Sequence, residues 1–236
     1  MPNQNNHTAV VIFSRSERQE SASKRFLNNT AEEENRKITS HLIGHTLHQV
    51  CASAFPYILF NEENQRGENF GEKLSNAIHD TFLQGFENVI VIGNDCPRLN
   101  SGHIKQAAKS LQEKINVIGE TKKGGVYLIA VSYSTFNRKS FAEIHWQSVD
   151  TSKQLLKLEG FDFSNSLPVL DDINSYEDLY NELHHLSSND SFRILVELIL
   201  NKRFKFFSKK KFSDTSSSNH YLFAVTAPPV YCHISV

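Results

Sequence analysis

Asn88-Val89-Ile90-Val91-Ile92-Gly93 is an almost unbroken apolar run rich in β-branched side chains, and segments with helical spacing lie on both sides of it. Such a run reads as a strand covered on both faces, not as the alternating pattern of a half-exposed one. The arrangement recurs along the chain. Ala9-Val10-Val11-Ile12-Phe13 reads as a first buried strand, followed by a polar loop from Ser14 to Ser23. Apolar positions repeat at helical spacing from Glu32 to Ala52. Tyr57-Ile58-Leu59-Phe60 then supplies another short run, and Phe70 to Phe86 returns to the helical period. After the central run come a helix from Ser101 to Glu113, a strand over Ile115 to Ile118 and another over Gly124 to Ala130. Strands alternating with helices predict an α/β fold: a mostly parallel central sheet with helices on both faces.

Residues 187–236 differ in character. They hold an amphipathic helix through Phe192, Leu195, Val196, Ile199 and Leu200, a basic aromatic run from Lys202 to Phe212, and a Ser-rich stretch from Ser213 to Asn219. This part is expected to be an appendage packed on the domain formed by residues 1–186, not a second domain. In the 202–212 run, either the phenylalanines pack on the core while the lysines stay in water, or the run contacts an anionic surface.

The charge balance narrows the partners. Lys and Arg total 25 against 26 Asp and Glu, so no global positive charge draws the chain to nucleic acid, and no nucleic-acid partner is expected. Cys51, Cys96 and Cys232 are widely separated and never form a CxxC pair, which fits a reducing compartment. Met1 to His7 is polar and has no secretory character, and the apolar run Ile194 to Leu200 is far shorter than the ~20 residues a bilayer requires. A cytoplasmic location is the expectation.

Sheets of this kind bind ligands beyond the carboxyl ends of their strands, where loops converge and helix N-termini present free N–H groups. Asp95 occupies such an end, between Gly93 and Pro97. Its carboxylate either holds Mg2+ or Mn2+, which would neutralise charge on departing phosphates, or starts a turn and caps the next helix. Arg15, Arg18, Lys24 and Arg25 follow the first strand and can hold phosphates, although Glu17 and Glu20 offset part of their charge. Gly67 and Gly71 bracket a turn that either brings backbone N–H groups near a ligand or simply enters a helix. Asp172 and Asn174 lie between a short strand over Leu167 to Leu170 and a helix from Tyr176 to Leu186. Either Asp172 or Asn174 faces the crevice of Asp95, or the local pattern is one of capping, with Asn174 or Ser175 as N-cap and Glu177 and Asp178 in the first turn. The histidine groups His41, His45, His48 and His184-His185 lack the accompanying ligands typical of zinc.

Read in order, these segments resemble a poorly characterised bacterial family with a glycosyltransferase-A-like, nucleotide-diphosphosugar transferase fold. It neighbours the molybdenum-cofactor and 2-phospholactate guanylyltransferases. The matching segments are Ser23-Lys24-Arg25-Phe26 for the family's Lys-Thr-Arg-Leu, Gly67 to Glu72 for its Gly-x-x-Gly-Glu turn, and Gly93-Asn94-Asp95-Cys96-Pro97-Arg98-Leu99 for Gly-x-Asp-Cys-Pro-x-Leu. Lys123 to Ile129, Ile144 to Ser148 and Asp172 to Leu179 continue the series. The resemblance implies a nucleotide or nucleotide-sugar ligand and a metal-dependent glycosyl or nucleotidyl transfer. It places Arg15, Lys24, Arg25, Gly71 and Asn94 at the nucleotide, Asp95, Asp172 and Asn174 at the metal, and Gly124, Gly125 and Trp146 at the acceptor. The chain departs from the family at Ser23, Lys123 and Asn174, where the pattern has Lys, Asp and Asp. Those changes motivate an alternative, a relative that binds a nucleotide or a partner without turnover.

Overall fold

The computed structural model describes residues 7–24, 26–27, 32–162 and 167–210, with side chains described as far as residue 201. Arg25, the side chains of the 202–212 run, the 213–219 stretch and Cys232 lie outside the described residues.

Five strands, β1 (Thr8–Phe13), β2 (Tyr57–Phe60), β3 (Asn88–Ile92), β4 (Val117–Glu120) and β5 (Val126–Ser132), form one sheet in the order β2-β1-β3-β5-β4. β1 pairs in parallel with β2 and β3, whereas β5 runs antiparallel to both β3 and β4. The sheet is therefore mixed, a correction to the mostly parallel sheet expected from the alternation of elements. The reason is the length of the β4–β5 connection. Residues 121–125 are too few for a parallel crossover, which takes a dozen or more residues. The chain reverses instead, with Gly124 N–H donating to Thr121 O at 2.9 Å and Thr121 N–H to Gly125 O at 2.9 Å.

Period-two alternation sends successive strand residues to opposite faces. Val10, Ile12, Ile90, Ile92, Leu128 and Ala130 enter one core, closed by Val50 of α2 (Glu32–Ser53) and by Ile104, Ala107, Ala108 and Leu111 of α4 (Ser101–Gln112). Val11, Val89, Val91, Ile129 and Val131 enter the other. It is closed by Leu74, Ala77, Ile78 and Phe82 of α3 (Phe70–Leu83), Phe141 of α5 (Arg138–Ala142) and Leu155 of α6 (Thr151–Leu155). Helices thus cover both faces.

Two local expectations change. The segment after β1 contains a helix, α1 (Glu17–Ser23), because the Ser16 side chain caps it by accepting from Gln19 N–H and Glu17 and Glu20 suit its first turn. Leu167 to Leu170 is not a strand; Leu170 alone bridges Thr121. Pro168 has no N–H to give a ladder, which keeps this edge contact from propagating. α7 (Tyr176–Leu183) follows, capped by Ser175.

The chain divides into two units, Met1–Leu186 and Ser187–Val236. In the second, Asp190 accepts from the backbone N–H groups of Phe192 and Arg193 at the start of α8 (Ser191–Lys210), and Phe192, Val196 and Ile199 are buried. Among the described residues no helix is long and apolar enough to cross a membrane.

Candidate active site

At the carboxyl ends of β1 and β3 lies a cavity of about 720 Å³, within the range of small-molecule sites. The reversal of β5 shapes it. Because β5 runs against β3, with Ile92 opposite Leu128 and Gly93 N–H donating to Tyr127 O at 3.3 Å, the start of β5 meets the end of β3. Gly125 thereby lines the same cavity as Asp95. A parallel β5 would have carried the glycine pair to the opposite rim of the sheet.

Arg15, Ser23, Lys24, Asn94, Asp95, Asp172, Asn174, Gly125 and Trp146 all line this space. Gly71 and Gly124 are not among its lining residues. Gly71 lies beneath Trp146, so that a Cβ there would approach Trp146 Cδ1 to 2.8 Å. Gly124 holds a φ of +80° and packs against Val149. Trp146 is fixed by its indole N–H, which donates to Phe141 O at 2.8 Å, and by Phe70, whose ring centre is 5.6 Å away. Together with Phe13 these rings form an aromatic part of the cavity wall.

The charged groups converge on Lys24, at the C-terminal end of α1. Its ammonium donates to Asp95 Oδ1, pairs with Glu20 Oε1 at 3.0 Å and reaches Ile173 O at 3.4 Å. Glu20 is a member of the site that the residue pattern did not single out. It is buried on the inner face of α1, four positions before Lys24, a spacing that puts the two side chains together on a helix. Burial pulls the Lys24 proton affinity down, but Asp95 and Glu20 together hold it above the usual lysine range. Burial pushes the Asp95 carboxyl up, against the opposing pull of Lys24.

The far wall comes from the segment after residue 167. Ile173 N–H donates to Asp95 O at 2.9 Å, which brings Asp172 and Asn174 to the cavity. Asn174 Nδ2 donates to Asp172 Oδ2, so its carbonyl oxygen can act as a hard donor. Lys123, where the resembled pattern has an acid, forms an ion pair with Asp178 of α7.

The oxygen donors Asp95, Asp172 and Asn174 suit Mg2+ or Mn2+ in type, and such ions keep waters or substrate oxygens in their remaining positions. A second acidic group lies beside the cavity. Asp171, Glu182 and His185 bring one ligand atom each within 4.8 Å of one another. Arg98 already binds both carboxylates, at 2.7 Å each, and Lys122 pairs with Asp171 at 2.8 Å. Two cations thus neutralise that cluster without a metal.

A family model described as an uncharacterised protein conserved in bacteria (DUF2064) matches residues 44–148, a span that includes Asp95 and Trp146 but neither β1 nor Lys24. No curated protein matches the chain in sequence. Among solved structures, a Desulfovibrio desulfuricans protein provisionally named a nucleotide-diphospho-sugar transferase matches with a TM-score of 0.65 at 17% identity, covering 86% of this chain and 98% of its own. A Leptospira borgpetersenii cytidylyltransferase matches with a TM-score of 0.47 at 15% identity, covering 84% and 96%. The first of these likenesses shows the fold alone: the α/β architecture, a mixed five-stranded sheet flanked by helices, is shared with the Desulfovibrio protein.

Proposed function

We propose that the chain binds a nucleotide or nucleotide sugar in the cavity above β1 and β3 and transfers a glycosyl or nucleotidyl group from it. The observation that carries this reading is the convergence of Lys24, Asp95, Asp172 and Trp146, from four separate parts of the chain, on one cavity of about 720 Å³. Cationic groups at the end of β1 suit phosphates, with Arg15 at the exposed rim and Lys24 deeper. The aromatic wall of Phe13, Phe70 and Trp146 offers flat apolar surface to a base or sugar. A divalent cation, Mg2+ or Mn2+, would be held by Asp95 with Asp172 and Asn174, and would supply charge neutralisation on the leaving phosphates.

Trp146 is the one tryptophan of the sequence, so its emission reports on the cavity directly. Titration with nucleoside triphosphates and nucleotide sugars in the presence of Mn2+ is expected to produce a saturable change in Trp146 fluorescence, matched by calorimetric heat. No saturable change with any of them would remove the proposal.

A second reading is favoured by one observation, the Lys123–Asp178 ion pair, which places a neutralised cation where the resembled pattern has an acid. In that reading the chain binds the nucleotide without turning it over. Saturable binding combined with no release of nucleotide or diphosphate over hours, across a panel of acceptors, would select it over transfer.

A further inference from the structure

We infer that Lys24 serves as an internal counter-ion for Asp95 that must be exchanged for a divalent cation before phosphates can bind, so that cation and phosphate bind cooperatively. The inference rests on the nucleotide-binding reading of the cavity and concerns how its charges are handled. An ammonium has three N–H donors. In Lys24 all three have acceptors: Asp95 Oδ1, Glu20 Oε1 and Ile173 O. No donor is left for a phosphate oxygen, although the side chain lines the cavity.

The charge count points the same way. One ammonium faces two carboxylates, which leaves the Glu20–Lys24–Asp95 group with a net charge of −1. Asp172 adds a further negative charge to the lining, while Arg15 adds a positive one at the exposed rim and Lys123 another, which is paired with Asp178, so cations and carboxylates of the lining balance. An incoming diphosphate therefore meets no surplus of positive charge at the inner end. If Lys24 turned toward it alone, the Asp95 carboxylate would lose the ammonium it is paired with and be left facing the Glu20 carboxylate, which disfavours the exchange. A divalent cation on Asp95 removes that cost and releases Lys24 toward the phosphate. Each ligand then raises the affinity for the other by the same factor, as linkage requires.

Mn2+ and inorganic pyrophosphate test this without any assumption about the base or sugar. Free Mn2+ is followed by electron paramagnetic resonance and pyrophosphate binding by calorimetry, in the full chain. For the unmodified protein, Mn2+ is expected to tighten pyrophosphate binding about tenfold or more relative to chelator-treated protein. Lys24→Met, which removes the competing ammonium, is expected to bind Mn2+ alone about tenfold more tightly than the unmodified protein. Asp95→Asn frees Lys24 from one carboxylate. It should bind pyrophosphate more tightly in chelator than the unmodified protein does, with no further gain from Mn2+. Equal pyrophosphate affinity with and without Mn2+, no pyrophosphate binding in any condition, or unchanged Mn2+ affinity in Lys24→Met overturns the inference. Should Lys24→Met fail to fold by circular dichroism, Asp95→Asn decides alone. A protein that shows this exchange with pyrophosphate yet binds no nucleotide would keep the inference and defeat the nucleotide reading.

Discussion

Arg98→Ala is expected to lower the free energy of unfolding by about 2–3 kcal/mol, read from the urea midpoint at neutral pH. The Arg98 guanidinium donates from Nε to Glu182 Oε1 and from Nη2 to Asp171 Oδ2, each at 2.7 Å. Glu182 is wholly buried, and its second oxygen has no hydrogen-bond partner among the described residues. Truncating Arg98 removes the guanidinium from that carboxylate and leaves it beside Asp171 and the His185 ring, whose Nδ1 is 3.9 Å from Oε2. The loss falls at or below the ~3–5 kcal/mol typical of fully buried pairs, because a quarter of the Arg98 side chain is exposed.

The pH dependence of this deficit follows from the direction of the Glu182 shift. Burial raises its proton affinity above the ordinary glutamate value and Arg98 pulls it back. Without Arg98 the folded-state value rises further, so between the unfolded value near 4.5 and the higher folded one the folded state binds more protons. Stability then falls as pH rises through that window. The deficit of Arg98→Ala should therefore shrink as pH is lowered toward 4.5, while Arg98→Lys, which keeps the charge but not the fork, should fall between the two proteins. A midpoint unchanged in Arg98→Ala would show that the Glu182 carboxylate is compensated by other means.

Gly124→Ala should cost about 3 kcal/mol, for two reasons that act together. Its φ of +80° is one that residues with a Cβ rarely adopt, and the added carbon would stand against the backbone carbonyl of Val149. Neither can be relieved by a side-chain rotation. Gly124 O also accepts from Ser152 N–H at 3.1 Å, so strain at this turn passes to α6 and to the Gln147–Thr151 rim of the cavity. Gly85→Ala serves as the comparison. It shares a positive φ, of +95°, but nothing lies within 4 Å of its added carbon, so only the backbone penalty remains. Equal midpoints for the two variants would refute the clash with Val149.

Much of the sheet could be read from the residues because β1 and β3 are buried on both faces and carry unbroken apolar runs, and α3 and α4, which cover opposite faces, keep a clear 3.6-residue period. The direction of β5 escaped that reading. Direction leaves no mark on an apolar run, and the informative feature was the short length of 121–125, which no crossover could span. α1 escaped because it is seven residues long and mostly polar; its only signals were the Ser16 cap and the acidic first turn. The carboxylates and lysine of the cavity stood out by their positions after strands. Glu20 did not, since nothing in the local residues says that a glutamate in a polar helix faces inward. Its burial is set by Lys24, and the Lys24 ammonium is placed in turn by Asp95, far along the chain.

The segment from Leu167 to Ile173 is fastened to the rest of the unit by backbone bonds. Leu167 N–H donates to Ile118 O, Leu170 N–H to Glu120 O, Lys122 N–H to Leu170 O and Ile173 N–H to Asp95 O. Lys24 and Ile173, joined by the ammonium-to-carbonyl contact, are 149 positions apart. During synthesis the strands are therefore all outside the ribosome before the last wall exists, and the order of emergence separates the core from the pocket. A nascent chain arrested just before Leu167 would hold every strand of the sheet but lack Asp172, Asn174 and the carbonyl that receives Lys24, so the cavity can be completed only after the whole sheet has been made.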